Sequence, residues 1–126
     1  YLTQIEKKDA PMWLIKEMEN TDPAPIISKA AMAGTCPVCA EAIKMFNRYL
    51  AIEAVNMILK LKTLGGLYLA GGIAPKLLPL LNPATWKEVF NQSGRMKQLL
   101  NDVTVYVVLN EKAPLIGASY YACLSL

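Results

Sequence analysis

The sequence predicts a helix-rich α/β fold with two strands, and three observations carry that reading. Val103-Thr104-Val105-Tyr106-Val107-Val108-Leu109 is dense in β-branched residues and is the clearest strand in the chain. Residues 67–70 are short and apolar throughout, the pattern of a strand covered on both faces. Around these two runs the chain divides into helical stretches punctuated by Pro, Gly and Asn. Strands separated by helices make half of a layered α/β unit. Two strands are too few for an independent sheet.

Each element follows from local signals. Asp9-Ala10-Pro11 starts a short helix through Met18, with Pro11 early in its first turn. Asn20-Thr21-Asp22-Pro23-Ala24-Pro25 breaks it. A second short helix, about 26–33, stops at Gly34. A long helix over about 37–63 is rich in Ala, Glu, Met, Leu and Lys. It carries Ile43, Phe46, Leu50, Met57 and Leu61 on one side and Met45, Tyr49, Ile52, Val55 and Leu59 on the other. So broad an apolar surface implies burial on more than one face. Leu64-Gly65-Gly66 ends it. Beyond the first strand come helices near 75–81 and 84–92, separated by Asn82 as cap and Pro83 at the first helical position. Ser93 caps a short turn over 94–100, and Pro114 opens a last helix ending near Leu124.

At 126 residues the chain is at most one domain, and a chain of this length buries roughly two thirds of its unfolded surface. Hydrophobic residues reach 54% against 18% charged, so some apolar surface is expected to pack against something outside the chain. The first residue is Tyr1 rather than Met, which suggests that residues preceding it have been removed. Net charge is +3, and no basic run is interleaved with aromatics, which speaks against a nucleic-acid partner. Three cysteines point to a reducing compartment rather than a disulfide scaffold. Glu6, Lys7, Lys8 and Asp9 interrupt any signal peptide. The long apolar window 64–81 holds four glycines, two prolines and Lys76, so it reads as strand, turn and helix rather than a membrane span.

There is no histidine, which removes Ser-His-Asp and Cys-His catalysis and imidazole metal sites. Glu41, Lys44 and Arg48 are spaced for pairing on the solvent side of their helix. No catalytic residue and no metal ligand set emerges. Cys36-Pro37-Val38-Cys39 lacks the preceding strand of a thioredoxin-like site, and Cys123 adds only one ligand toward zinc. A role in starting the long helix is the better reading. Trp86 and Phe90, four apart, read as core or interface groups, and Tyr120 and Tyr121 as packing groups with one wet edge.

The richest stretch is Gly65-Gly66-Leu67-Tyr68-Leu69-Ala70-Gly71-Gly72-Ile73-Ala74-Pro75-Lys76: a strand, a glycine pair, then a helix opened by Pro75. Glycines at a strand-to-helix turn let a flat ligand lie on backbone. The helix start adds unpaired N–H groups and the positive end of its dipole. The bland alternative is an ordinary tight turn. The stretch has neither GxGxxG spacing nor the Gly-Lys-Ser/Thr of a P-loop.

Residues 66–76 resemble the adenosine motif of the sugar kinase, heat-shock ATPase and actin superfamily, and more narrowly the C-terminal part of bacterial glucokinases. Ser93-Gly94-Arg95-Met96, the strand at 103–108 and Pro114-Leu115-Ile116-Gly117-Ala118 resemble that family's segments in the same order, as does Cys36 to Cys39 leading through a long helix into Gly65-Gly66. The likeness spans roughly 27–122. It implies the C-terminal part of an actin-like ATPase (ribonuclease H-like) domain, with residues 1–126 a partial large domain and the N-terminal domain missing. It implies ATP with Mg²⁺ as cofactor, glucose as co-substrate of the full-length protein, a first-step glycolytic role and a cytoplasmic location. Gly71 and Gly72 would form the floor for adenosine, with Ile73 and Ala74 as the adjoining wall. The family's catalytic aspartate, Asp-Gly-Gly phosphate loop, metal ligands and sugar ligands have no match here, since there is no Asp-Gly pair and no His. The segment alone is therefore expected to be inactive. The family often has Arg where this chain has Lys76, and Gly where it has Pro114. Two other readings stand beside this one: a non-catalytic nucleotide- or partner-binding module, and a structural or oligomerisation segment. Self-association into a homodimer through apolar helix surface is a further expectation; no membrane partner is expected.

Overall fold

The computed structural model describes residues 1–124. Helix α1 (Met12–Asn20) has Pro11 at its N-cap and ends at the extended Thr21, whose hydroxyl donates to the Glu17 carbonyl at 2.9 Å. Helix α2 (Pro23–Met32) begins earlier than the expected residue 26. The Asp22 carboxylate accepts from the Ala24 N–H at 3.1 Å, and Pro23 and Pro25 occupy the first turn. Their missing N–H groups cost nothing where a helix leaves its donors unpaired anyway. The prolines read as breakers are helix openers. Gly34, with φ +67°, closes α2 as expected.

Helix α3 (Pro37–Leu61) is the long central element. It stops at Lys62, which adopts the left-handed conformation at φ 51°, and so ends before Leu64-Gly65-Gly66. Its buried residues are Cys39, Asn47, Ala51, Ala54, Val55 and Ile58, whereas Phe46, Tyr49, Met57 and Leu61 remain exposed. The buried seam is built on small residues rather than on the large apolar ones, which leaves room for neighbouring helices to come close. Helix α5 (Pro83–Asn91) packs along it, with the Asn82 side chain accepting from the Ala84 N–H at 2.9 Å. Buried Asn47 is satisfied across this contact: its Oδ1 accepts from the Trp86 indole at 2.7 Å. Glu41 and Arg48 pair with residues outside α3 rather than with each other or Lys44 along it. Arg48 meets Glu88 of α5 at 3.2 Å, and Glu41 meets Lys8.

Two clusters make the core. One joins Ala51, Val55, Ile58, Val89, Phe90, Leu100 and Val103, and the other joins Leu14, Ala30, Cys36 and Cys39. Strands β1 (Leu67–Leu69) and β2 (Val105–Val107) pair in parallel, with Tyr68 opposite Tyr106. Leu67 and Val105 pack against the first cluster. On the other face Tyr68 and Tyr106 stack at 4.8 Å and stay exposed. Strand β1 is thus covered on one face, not on both as its all-apolar run suggested. Helix α4 (Ile73–Leu77) runs into a 3-10 turn at Leu78–Leu80. After α5, a 3-10 turn at Gly94–Met96 leads into α6 (Lys97–Asn101). Ser93 does not cap that turn; its hydroxyl donates back to the Val89 carbonyl at 3.4 Å. Helix α7 (Ala113–Leu124) closes the described chain. Among the described residues, no single helix is long and apolar enough to cross a membrane.

Candidate nucleotide-binding bend

The glycine stretch lies where parallel β1 ends and α4 begins, beside the end of β2. The Val108 N–H donates to the Leu69 carbonyl at 2.9 Å, and the Leu67 N–H donates to the Thr104 carbonyl at 2.9 Å. The pairing is therefore bonded up to the bend. In open α/β sheets this carboxyl end of the strands is the usual ligand edge.

The four glycines of this stretch differ in why they are glycine. Gly66 enters β1 at φ +123°, and a Cβ there would sit 3.1 Å from the Tyr106 ring and 3.2 Å from the Thr104 carbonyl oxygen. It is glycine for the fold. Gly71 has φ +104°, so its backbone alone favours glycine, and a Cβ would meet open space. Gly72 caps α4 with ordinary helical angles, φ −81° and ψ −13°. A Cβ there would meet only the Lys76 ammonium, at 3.7 Å. Gly65 likewise faces open space. Neither backbone strain nor packing within this chain requires glycine at 72.

Ile73 is 63% exposed, while Ala74 is buried. Helix α4 begins at Ile73, with Pro75 third in its first turn rather than opening it. No side chain caps this start, so the Ile73 and Ala74 N–H groups lack a helical acceptor. The helix is shorter than 75–81 suggested, because at Pro79 it has already tightened into the 3-10 turn. One residue that the sequence reading did not single out stands at this mouth. Glu111, beyond β2, approaches Lys76 to 3.8 Å. Its position is set by strand pairing across a long stretch of chain, and no local signal points to it.

At Gly71 the bend faces open space. A cleft of about 510 Å³ lies between α1 and α2, lined by Trp13, Ile26 and Lys29 among others, and one of about 310 Å³ lies near Leu2, Leu14 and Tyr49. Neither includes residues 71–74. Cys36 and Cys39 are both buried, and the Cys39 N–H donates to the Cys36 sulfur at 3.4 Å at the start of α3. Burial first, then the neighbouring Cys36 thiol, pushes the Cys39 pKa up to about 12. Cys36 thus caps the start of α3, and Cys39 packs beneath it as a buried thiol.

The sequence model of the glucokinase family matches residues 2–124. The chain belongs to the glucokinase family. It is 43% identical to a glucokinase of Synechocystis over 99% of its own length and 34% of that protein. It is 42% identical to a glucokinase of Nostoc over 82% of this chain and 30% of the relative, and 32% identical to that of Yersinia enterocolitica over 82% and 32%. No solved structure matches. The chain thus spans about a third of the length of the curated relatives it matches and corresponds to a C-terminal segment of a glucokinase. Seven helices and two parallel strands among the described residues agree with the helix-rich α/β part of such an enzyme.

Proposed function

We propose that the complete polypeptide carrying this segment transfers the γ-phosphoryl group of ATP to the 6-hydroxyl of glucose, in the cytoplasm and as a first step of glycolysis. In this reading residues 71–74 seat the adenosine. The observation that carries the seat is Gly72, bare although neither its backbone nor its packing calls for glycine. The exposed Ile73 offers an apolar edge to a base, and its own uncapped N–H offers a donor beside it. Ala74, being buried, supports the bend from beneath.

Phosphoryl transfer also needs a base at the sugar hydroxyl, grips on the phosphates and Mg²⁺, which when bound neutralises charge on the transferring group. Among the described residues, no group of three His, Cys, Asp or Glu side chains gathers to hold a metal ion. In this reading the chemical machinery lies in the other two thirds of the polypeptide, where the family's catalytic aspartate and phosphate loop are expected, and this segment binds and orients.

Gly72→Val in the complete polypeptide tests the seat better than a change at Gly71, where any side chain also strains the backbone. We expect ATP affinity to fall about tenfold or more, roughly 1.4 kcal/mol, with the fold intact by circular dichroism. Unchanged ATP affinity would overturn the seat and favour a structural role for this segment. Residues 1–126 alone are expected to show no ATP-dependent glucose phosphorylation, and activity in that piece would overturn the division of labour.

A further inference from the structure

Two opposite charges meet beside the glycine bend. Lys76 belongs to α4, which follows β1, and Glu111 to the turn that follows β2. Because β1 and β2 are parallel neighbours, both side chains arise beyond the carboxyl ends of the strands, where open α/β sheets collect their ligands. The turn carrying Glu111 is fixed from both sides. The Asn110 side-chain oxygen accepts from the Lys112 N–H at 2.9 Å, and the Asn110 carbonyl accepts from the Ala113 N–H at 3.1 Å. The Lys76 ammonium lies 3.7 Å from the point where a Cβ on Gly72 would stand. The cation is therefore poised at the bare face of Gly72, with the Glu111 carboxylate 3.8 Å from it.

The chemistry of the pair selects its ligand. A closed charge-assisted hydrogen bond between such groups measures about 2.8 Å. At 3.8 Å the two heads attract without closing, so the ammonium keeps donors and the carboxylate keeps acceptors for a third group. Their charges cancel. A phosphate placed here would gain from Lys76 and lose to Glu111. A neutral group that both donates and accepts suits both heads, and a hydroxyl is such a group. In dinucleotide-binding folds a carboxylate takes a ribose hydroxyl in this way. We infer that Lys76 and Glu111 together bind the vicinal diol of the ribose of the seated nucleotide, the ammonium donating to one hydroxyl and the carboxylate accepting from the other. This rests on the reading of residues 71–74 as the adenosine seat. It adds a selectivity that bare backbone does not supply, for ribonucleotides over deoxyribonucleotides, and it directs the phosphates away from Glu111.

The test titrates the complete polypeptide with ATP, 2′-deoxy-ATP and 3′-deoxy-ATP and compares dissociation constants. Wild type should bind each deoxynucleotide about tenfold more weakly than ATP, the effect of losing one hydrogen bond to a charged group. Glu111→Ala should weaken ATP about tenfold and erase its advantage over the nucleotide whose hydroxyl the carboxylate holds. Lys76→Met should do the same for the other hydroxyl, and Lys76→Arg, which keeps a cation, should retain the preference. The two side chains are 71% and 57% exposed, and an exposed pair adds little to stability, so these variants keep the fold. Equal binding of all three nucleotides by wild type would overturn the proposal. So would a Glu111→Ala variant that weakens all three by one factor, since a merely structural or long-range electrostatic role does not read hydroxyls. Gly72→Val separates this from the seat itself. It should weaken all three nucleotides alike. Unchanged affinity in that variant is a failure of the seat, whereas weakened affinity in it beside a wild type blind to the hydroxyls is a failure of the pair alone.

Discussion

The helical body formed by α1, α2, α3, α5 and α6 packs against itself; the region of β1, β2, α4 and α7 does so only in part. Ile58, Leu100, Asn47, Cys36 and Cys39 are the largest fully enclosed side chains, and all lie in or at the start of the first region. In the second, Ala74 and Leu77 are buried, the strands are half-buried on one face, and α7 buries nothing. Hydrophobicity does not separate the two, since α7 carries no charged residue while α3 carries several. What separates them is the availability of partners within the chain.

The comparison is broken most directly at its deepest point. Ile58 is fully buried among Ala51, Val55, Phe90 and Leu100. Ile58→Ala is expected to lower stability by about 2–5 kcal/mol, the usual cost of a core cavity. Leu115→Ala on α7 is expected to change the stability of the 126-residue chain by no more than about 0.5 kcal/mol. Denaturant midpoints of the two variants check this, and comparable losses would mean that the regions are equally self-supporting. The glycines give the next contrast. Gly66→Ala meets both a positive φ and contacts near 3.1 Å, and should cost about 1–3 kcal/mol. Gly72→Ala, in helical backbone with only the flexible Lys76 ammonium at 3.7 Å, should leave stability within about 1 kcal/mol or raise it slightly. Thermal melts of the pair decide whether the bend is bare for the fold or for a visitor.

The type and order of the elements were legible because caps, prolines and β-branched runs act over a few residues. Asn82-Pro83 opened α5, Gly34 closed α2, and the two strands fell where apolar runs stood. Burial was less legible. The large side chains of α3 caught the eye, but the helix buries the line of Asn47, Ala51, Ala54 and Ile58, because close helix packing rewards small residues and one satisfied amide. Tyr68 looked like a covered strand residue and lies open, since nothing in these residues lies over that face. At the site the glycine pair was legible from its motif. Glu111 was not, because its approach to Lys76 is made by β1 and β2 pairing.

Cysteine allows the smallest and sharpest contrast, with one residue type in both regions. Cys123 is exposed, while Cys39 is buried and its pKa is pushed up from 9.0 to about 12. Between those values the unfolded chain releases the Cys39 proton and the folded chain keeps it. The unfolded state then binds fewer protons, so stability falls as pH rises. The contribution is fully present below pH 9 and declines from there toward 12, at no more than about 1.4 kcal/mol per pH unit. At neutral pH it produces no slope at all. Urea unfolding at pH 8, 9 and 10 should show the decline setting in above 9, and Cys39→Ala should flatten that part of the profile. If Cys39→Ala leaves the alkaline decline in place, that loss is not carried by the enclosed thiol, and the helical body is less closed than its packing indicates.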